Sequence, residues 1–125
     1  MGRFLNPDNS AFQIALNSKI YVDKTGLLNI TNQAIDTDAA FICNSRPRQF
    51  GKSITANMLA AYYSKGCDSE EMFAGLRIGS MDSFKSNLNQ YDVIQFDVQW
   101  CMMDAGGADQ TVSYINKHVL EELNK

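Results

Sequence analysis

Fifteen residues, AAFICNSRPRQFGKS at positions 39–53, decide which fold the sequence predicts. The run Ala39–Cys43 is short, continuous and apolar, which is typical of a parallel strand covered on both faces. After a polar loop and the tripeptide Gly51-Lys52-Ser53, apolar residues recur at helical spacing. These residues are Ile54, Met58, Ala61 and Tyr62. The order of strand, loop and helix predicts an α/β fold, in which a parallel sheet is flanked by helices.

The loop between this strand and this helix is the main candidate for a binding site. The phosphate-binding pattern G-x-x-x-x-G-K-[ST] fits Gly51, Lys52 and Ser53, although Arg46 occupies the position of the first glycine. Gly51 lets the backbone approach an oxyanion, and Lys52 would place its charge between the β- and γ-phosphates. Ser53 would supply a Mg²⁺ ligand, while Arg46 and Arg48 offer guanidinium groups to phosphate. A basic surface loop that caps a helix is the alternative explanation.

Four segments of the chain resemble one known family. Ser45–Ser53 is similar to the RPRRFGKS loop of the AAA-ATPase-like family of bacterial proteins, with Gln49 in place of the second arginine of the pair. Tyr21–Thr25 is similar to the YVDKT motif of that family. Met72–Ile78 and Tyr91–Ile94 resemble two further segments of the family, and all four segments follow the family's order.

This resemblance implies a P-loop NTPase-like fold, ATP and Mg²⁺ as ligands, and ATP hydrolysis by the full-length protein. It assigns Gly51, Lys52 and Ser53 to the nucleotide phosphates, with Arg46 and Arg48 as supporting contacts. It suggests that Tyr21–Thr25 lies near the nucleotide base or packs against the loop, and these two options stay open. Members of the family often carry a C-terminal nuclease-like domain of the PD-(D/E)XK type, so such a domain is an expected partner within the same parent chain.

An acidic residue that orients magnesium is the part of an ATPase that the sequence lacks. Asp97 is the nearest candidate, but its predicted strand alternates with Gln95 and Gln99, which favours a polar residue on a partly exposed face. The resemblance puts the acidic motif of the family beyond Lys125, so we expect the natural chain to continue there and the sheet to be incomplete. No catalytic residue is predicted, and enzymatic activity of these 125 residues is left open.

The whole chain is interpreted as the N-terminal part of one AAA-ATPase-like domain. Residues 1–38 form a helical and β lead-in, and residues 39–65 contain the strand, the P-loop and the helix. Residues 66–125 contain a long connection, a second strand at Asp92–Trp100 and a final amphipathic helix. The apolar stripe of that helix consists of Val112, Ile115, Val119 and Leu123. Because an incomplete sheet has an exposed edge, we expect self-association.

Composition and charge narrow the classes of function. A hydrophobic fraction of 45% and a charged fraction of 20% are typical of a soluble globular domain. The net charge of −3 argues against direct nucleic-acid binding, and no apolar run approaches the about 20 residues of a membrane span. Three cysteines without a C-x-x-C pair favour reduced thiols and a cytoplasmic location. The alternative function is a non-catalytic interaction or regulatory module, whose basic loop binds an anion or a nucleic-acid backbone.

Overall fold

The computed structural model describes residues 4–43 and 52–124, and its regular structure is helical. The α-helices in these ranges are α1 (Ser10–Leu16), α2 (Gly26–Ala34), α3 (Lys52–Tyr63), α4 (Glu70–Ala74), α5 (Phe84–Asn87), α6 (Val98–Ala105) and α7 (Thr111–Leu123). Short 3₁₀ turns lie at Arg77–Ser80 and Ala108–Gln110. None of the helices in the two ranges is long and apolar enough to cross a membrane.

The predicted P-loop NTPase-like parallel sheet is wrong for the part of the chain that the structure describes, where isolated bridges occur but no β-strand. Ala39–Cys43, the expected first strand, lies outside regular secondary structure, and its Phe41 side chain is 98% exposed. Residues 19–22, the β part of the predicted lead-in, do not form a strand either. A strand exists only where its backbone pairs with a neighbour, and an apolar run does not supply that neighbour.

The second predicted strand, Asp92–Trp100, is extended only in its first half and becomes helical at Val98. Asp97 is the N-cap of α6, since its Oδ1 accepts a hydrogen bond from the backbone N–H of Trp100 at 3.1 Å. The isolated bridges of the described chain pair Ile94 of this half with Leu5, and Tyr91, the residue before it, with Ser64. The aspartate that caps α6 therefore favours a helix from Val98 onward, whereas the alternating polar and apolar pattern had predicted a strand.

The core lies where α1, α2 and α3 meet the segment from α4 to α5. We call its buried side chains the core cluster: Phe12, Leu28, Met58, Ala61, Tyr62, Phe73, Ile78 and Phe84. The ring of Phe73 stacks on Phe12 with 5.1 Å between centroids and meets Tyr62 edge-on at 5.4 Å. Burial of these large apolar groups is the main stabilising contribution to the fold. The core cluster thereby fixes the C-terminal half of α3.

Side chains from the loops that follow α3 cap its C-terminal end. Asn89 has a left-handed backbone with φ of 54°, and its Nδ2 donates to the carbonyls of Ala61 and Ser64 at 3.1 and 2.9 Å. The Ser69 hydroxyl donates to the same Ala61 carbonyl at 2.8 Å. The last carbonyls of a helix have no partner within the helix, so these bonds satisfy groups that burial would otherwise penalise.

The start of the described chain is joined to α7 by one carboxylate. Glu122 accepts hydrogen bonds from the backbone N–H groups of Phe4 and Leu5 at 2.9 and 2.7 Å. The carbonyl of Phe4 in turn accepts from the N–H of Gln95 at 2.8 Å. These bonds place residues 4–5 between α7 and the extended segment that precedes α6.

The α6–α7 pair, as we call residues 98–123, is less buried than the core cluster. Its exposed apolar side chains are Val98, Trp100, Met102, Met103, Val112, Leu120 and Leu123. The predicted final helix is present as α7, but its apolar stripe is not a buried face, because Val112 is 69% exposed. The helical period of the sequence was thus a good guide to the helix and a poor guide to its environment.

Candidate functional site

The predicted phosphate site falls at the N-terminal end of α3. Lys52 and Ser53 are the first two residues of this helix, and Ser53 is exposed. Gly51, Arg46 and Arg48 lie outside the described residues. The helix that was predicted beside the motif is therefore present. The phosphate-binding roles of the five predicted site residues stay predictions.

The geometry of α3 is suitable for holding an anion at this end. The first backbone N–H groups of an α-helix have no partner within the helix, and the peptide dipoles add partial positive charge there. In α3, which has 12 residues, this end carries Ser53 at the surface. Further along, Met58 and Tyr62 are buried in the core cluster. The helix is consequently held by its C-terminal half, while Ser53 is exposed at the other end. Phosphate groups bind at the N-terminal ends of helices in many proteins.

An apolar cavity of about 470 Å³ lies beside α3, between α2 and the segments 40–42 and 91–93. Its apolar side chains include Leu27, Ala34, Ile42, Leu59 and Val93. Hydroxyl groups of Thr31 and Tyr63 also line it, and they lie 2.6 Å apart. Burial raises the pKa of Tyr63 to about 12, so the phenol stays neutral at physiological pH. Sequence reasoning missed this cavity because its walls come from four separate segments.

The segment Tyr21–Thr25 connects the start of α2 to the 3₁₀ turn Arg77–Ser80. Asp23 Oδ1 accepts from the Thr25 backbone N–H at 2.9 Å and from the Thr25 hydroxyl at 2.6 Å. Asp23 Oδ2 accepts from the Arg77 N–H at 2.8 Å, and the Thr25 hydroxyl oxygen accepts from the Ile78 N–H at 3.1 Å. We call these four bonds the Asp23–Thr25 clip. The clip links two segments that were singled out in the sequence as separate motifs.

The clip gives the Tyr21–Thr25 segment a structural role. Partial burial raises the pKa of Asp23, but the hydrogen bonds from Thr25 and Arg77 outweigh it and leave the pKa below the ordinary value. Arg77 also packs over Gly26, where an added Cβ would lie 3.2 Å from the Arg77 Cδ. The two expected roles, near the nucleotide base or against the loop, would involve residues outside the described ranges. Neither of these expected roles includes the hydrogen bonds of Asp23 and Thr25 to the 3₁₀ turn.

Several other polar side chains of the described chain have local partners. Asp97 caps α6, and Glu122 accepts hydrogen bonds from the backbone of residues 4–5. His118 lies beside the Tyr114 ring at 4.2 Å, and its Nδ1 is 3.5 Å from a Glu121 carboxylate oxygen. Across residues 4–43 and 52–124, no group of three or more His, Cys, Asp or Glu side chains could hold a metal ion.

Comparison with known proteins returns one family. A family model described as a predicted AAA-ATPase matches residues 10–125. No curated protein and no solved structure matches the chain. The matched range contains the Arg46–Ser53 loop sequence, the Asp23–Thr25 clip, the core cluster and the α6–α7 pair.

Proposed function

The chain belongs to the predicted AAA-ATPase family, and from this membership we propose that it binds ATP at the N-terminal end of α3. Gly51, Lys52 and Ser53 contact the phosphates, and Arg46 and Arg48 add charge from the preceding loop. The observation that carries the proposal is the position of Lys52 and Ser53 as the first two residues of α3, a helix that the core cluster holds in place.

The residues at this end of α3 fit a nucleotide phosphate and its magnesium ion. Ser53 is exposed on the first turn, so its hydroxyl is accessible to Mg²⁺, a cation that prefers oxygen ligands. Lys52 precedes it in the position of the P-loop lysine. When bound, Mg²⁺ neutralises charge on the β- and γ-phosphates. Backbone N–H groups at the start of the helix, where the helical hydrogen-bond pattern supplies no acceptor, provide the remaining contacts.

We place ATP hydrolysis in the full-length protein. Asp97 caps α6 through its bond to the Trp100 N–H, and this bond favours a structural role over that of a magnesium-orienting acid. The acidic group is supplied elsewhere in the parent protein, where a nuclease-like domain is the expected companion. Self-association through apolar surfaces of the chain and a cytoplasmic setting, where ATP and reduced thiols occur together, complete the proposal.

The decisive experiment is thermal unfolding of the chain with and without about 1 mM Mg-ATP. A ligand that binds only the native state adds RT ln(1 + [L]/Kd), which is roughly 2.7 kcal/mol for a ~10 μM site. For a domain of this size that corresponds to a shift in Tm of roughly 10 °C. The Lys52→Ala variant is expected to lose the shift, because it removes the charge between the phosphates.

Lys65→Ala is the matched control for this experiment. Lys65 is an exposed lysine just past the other end of α3, where its Nζ lies 3.3 Å from Asp92 Oδ2. This variant removes the same charge and keeps the ATP-dependent shift. Loss of the shift in both variants would point to a general effect of charge on anion binding. A shift of equal size with pyrophosphate, and without magnesium, would support the anion-binding module instead.

A further inference from the structure

A second cavity, of about 430 Å³, lies on another side of α3, between that helix, the N-terminal segment and the start of α6. Its volume is within the usual range for sites that bind small molecules. Buried Phe4 and Ala60 contribute apolar surface to it. The cavity is separate in its lining from the 470 Å³ cavity described above, since the two have no residue in common.

The charged side chains that line this cavity in the described structure are both carboxylates, Asp8 and Asp97. Each side chain is exposed and held by the backbone nearby. Asp8 Oδ1 accepts from the Ser10 hydroxyl at 2.6 Å and from its N–H at 3.1 Å, and these bonds keep the pKa of Asp8 below the ordinary value. Asp97 Oδ1 is held by the Trp100 N–H at 3.1 Å, so hydrogen bonds orient both carboxylates. Such a lining repels phosphate and attracts a cation.

Aromatic and amide groups complete the lining. Phe96 and Trp100 are 41% and 39% exposed, so parts of their rings are accessible to a ligand. Aromatic ring faces attract organic cations, and they also provide apolar contact. Asn57 and Gln95 are half-buried, and Gln95 Nε2 lies 3.4 Å from Asn57 Oδ1. The cavity thus combines an apolar interior, aromatic surfaces and negative charge at the exposed edge.

We infer that this cavity binds a small organic ammonium ion with an apolar body. The apolar body packs against Phe4, Phe96 and Trp100, and the ammonium group lies at the edge near Asp8 and Asp97. Attraction to the carboxylates and to the aromatic rings then acts on the same cation. The residues that line the cavity lie outside the Gly-Lys-Ser motif, so the site is distinct from the proposed nucleotide site.

The test uses the fluorescence of Trp100, the only tryptophan of the chain. Phenethylamine is titrated into the full chain, with 2-phenylethanol as a neutral compound of nearly the same shape. We expect a saturable change of emission with phenethylamine and binding at least about fivefold weaker with the alcohol. Equal affinity for the two compounds, or no saturable change with either, overturns the inference.

Asp97→Asn tests the charge without removing the helix cap, because asparagine caps helices as well as aspartate does. We expect this variant to reduce the preference for the amine to less than about twofold. Asp36→Asn is the matched control, since it removes one negative charge from an exposed residue with φ of 61°, which asparagine tolerates. A preference that persists in Asp97→Asn, or falls equally in Asp36→Asn, overturns the inference. The result does not depend on whether ATP binds.

Discussion

The core cluster and the α6–α7 pair both contain large apolar side chains, yet their burial differs greatly. Tyr62 and Phe73 are fully buried, whereas Met103 and Val112 are 77% and 69% exposed. Side chains of the core cluster come from several converging segments, while α6 and α7 pack largely on each other with residues 4–5 beside them. Two helices alone cannot surround a side chain on all sides. Burial in this protein therefore follows the number of converging elements.

Replacing one side chain in each region gives the largest expected contrast. Phe73→Ala removes a ring that contacts Phe12 and Tyr62, and we expect it to lower the free energy of unfolding by about 3–5 kcal/mol. Leu120→Ala, at a side chain that is 57% exposed, is expected to cost less than about 1 kcal/mol. Urea denaturation measures both. Phe73→Leu serves if the alanine variant does not fold, and equal losses in the two regions would contradict the comparison.

Gly75 and Gly79 test how closely the backbone packs between α4 and the following 3₁₀ turn. An added Cβ at Gly79 would lie 2.2 Å from the Ala74 carbonyl oxygen, whereas one at Gly75 would meet nothing within 4 Å. We expect Gly79→Ala to destabilise the fold by about 1–3 kcal/mol, because backbone must move to admit the methyl group. Gly75→Ala is expected to change stability by less than about 1 kcal/mol, in either direction. Comparable losses measured by urea denaturation would show that the backbone at Gly79 yields easily.

The Asp23–Thr25 clip gives the smallest expected effect and depends on pH. The pKa of Asp23 in the folded chain is below its ordinary value of 3.8. The clip therefore contributes stability above about pH 4, and this contribution is lost as the pH falls through the folded pKa. Because Asp23 is exposed, solvent screening limits the contribution to under about 1 kcal/mol. Unfolding free energies between pH 6 and pH 2 should fall more steeply for the native sequence than for Asp23→Asn, and parallel curves would contradict the role of the clip.

Local signals in the sequence predicted α3 and α7, and non-local pairing defeated the prediction of the sheet. Helices depend on neighbours within one turn, so apolar residues at helical spacing were sufficient to predict these two helices. The runs Ala39–Cys43 and Asp92–Trp100 have apolar patterns that suit strands, but a pattern cannot specify a hydrogen-bonding neighbour. The expected sheet failed for that reason.

In the candidate site, too, the local features could be predicted from the sequence and the long-range contacts could not. The sequence was sufficient to predict a helix at the Gly-Lys-Ser motif, because the apolar residues that indicate the helix follow the motif directly in the chain, and α3 begins at Lys52. It could not reveal the clip between Asp23 and Arg77, which are 54 positions apart. It could not reveal the cavity near Asp97 either, since the lining residues come from three separate segments. Contacts across such distances are properties of the folded chain alone.

The capping of α3 by Asn89 makes one amide proton a reporter on the C-terminal end of the helix. A helix of 12 residues is about 18 Å long, and just past its last residue Asn89 donates to the Ser64 carbonyl at 2.9 Å. Beside this contact, the N–H of Tyr91 donates to the Tyr63 carbonyl at 2.9 Å. A hydrogen-bonded amide proton exchanges with solvent when its bond opens. The exchange rate of the Tyr91 amide therefore measures how often the C-terminal end of α3 separates from the segment that caps it.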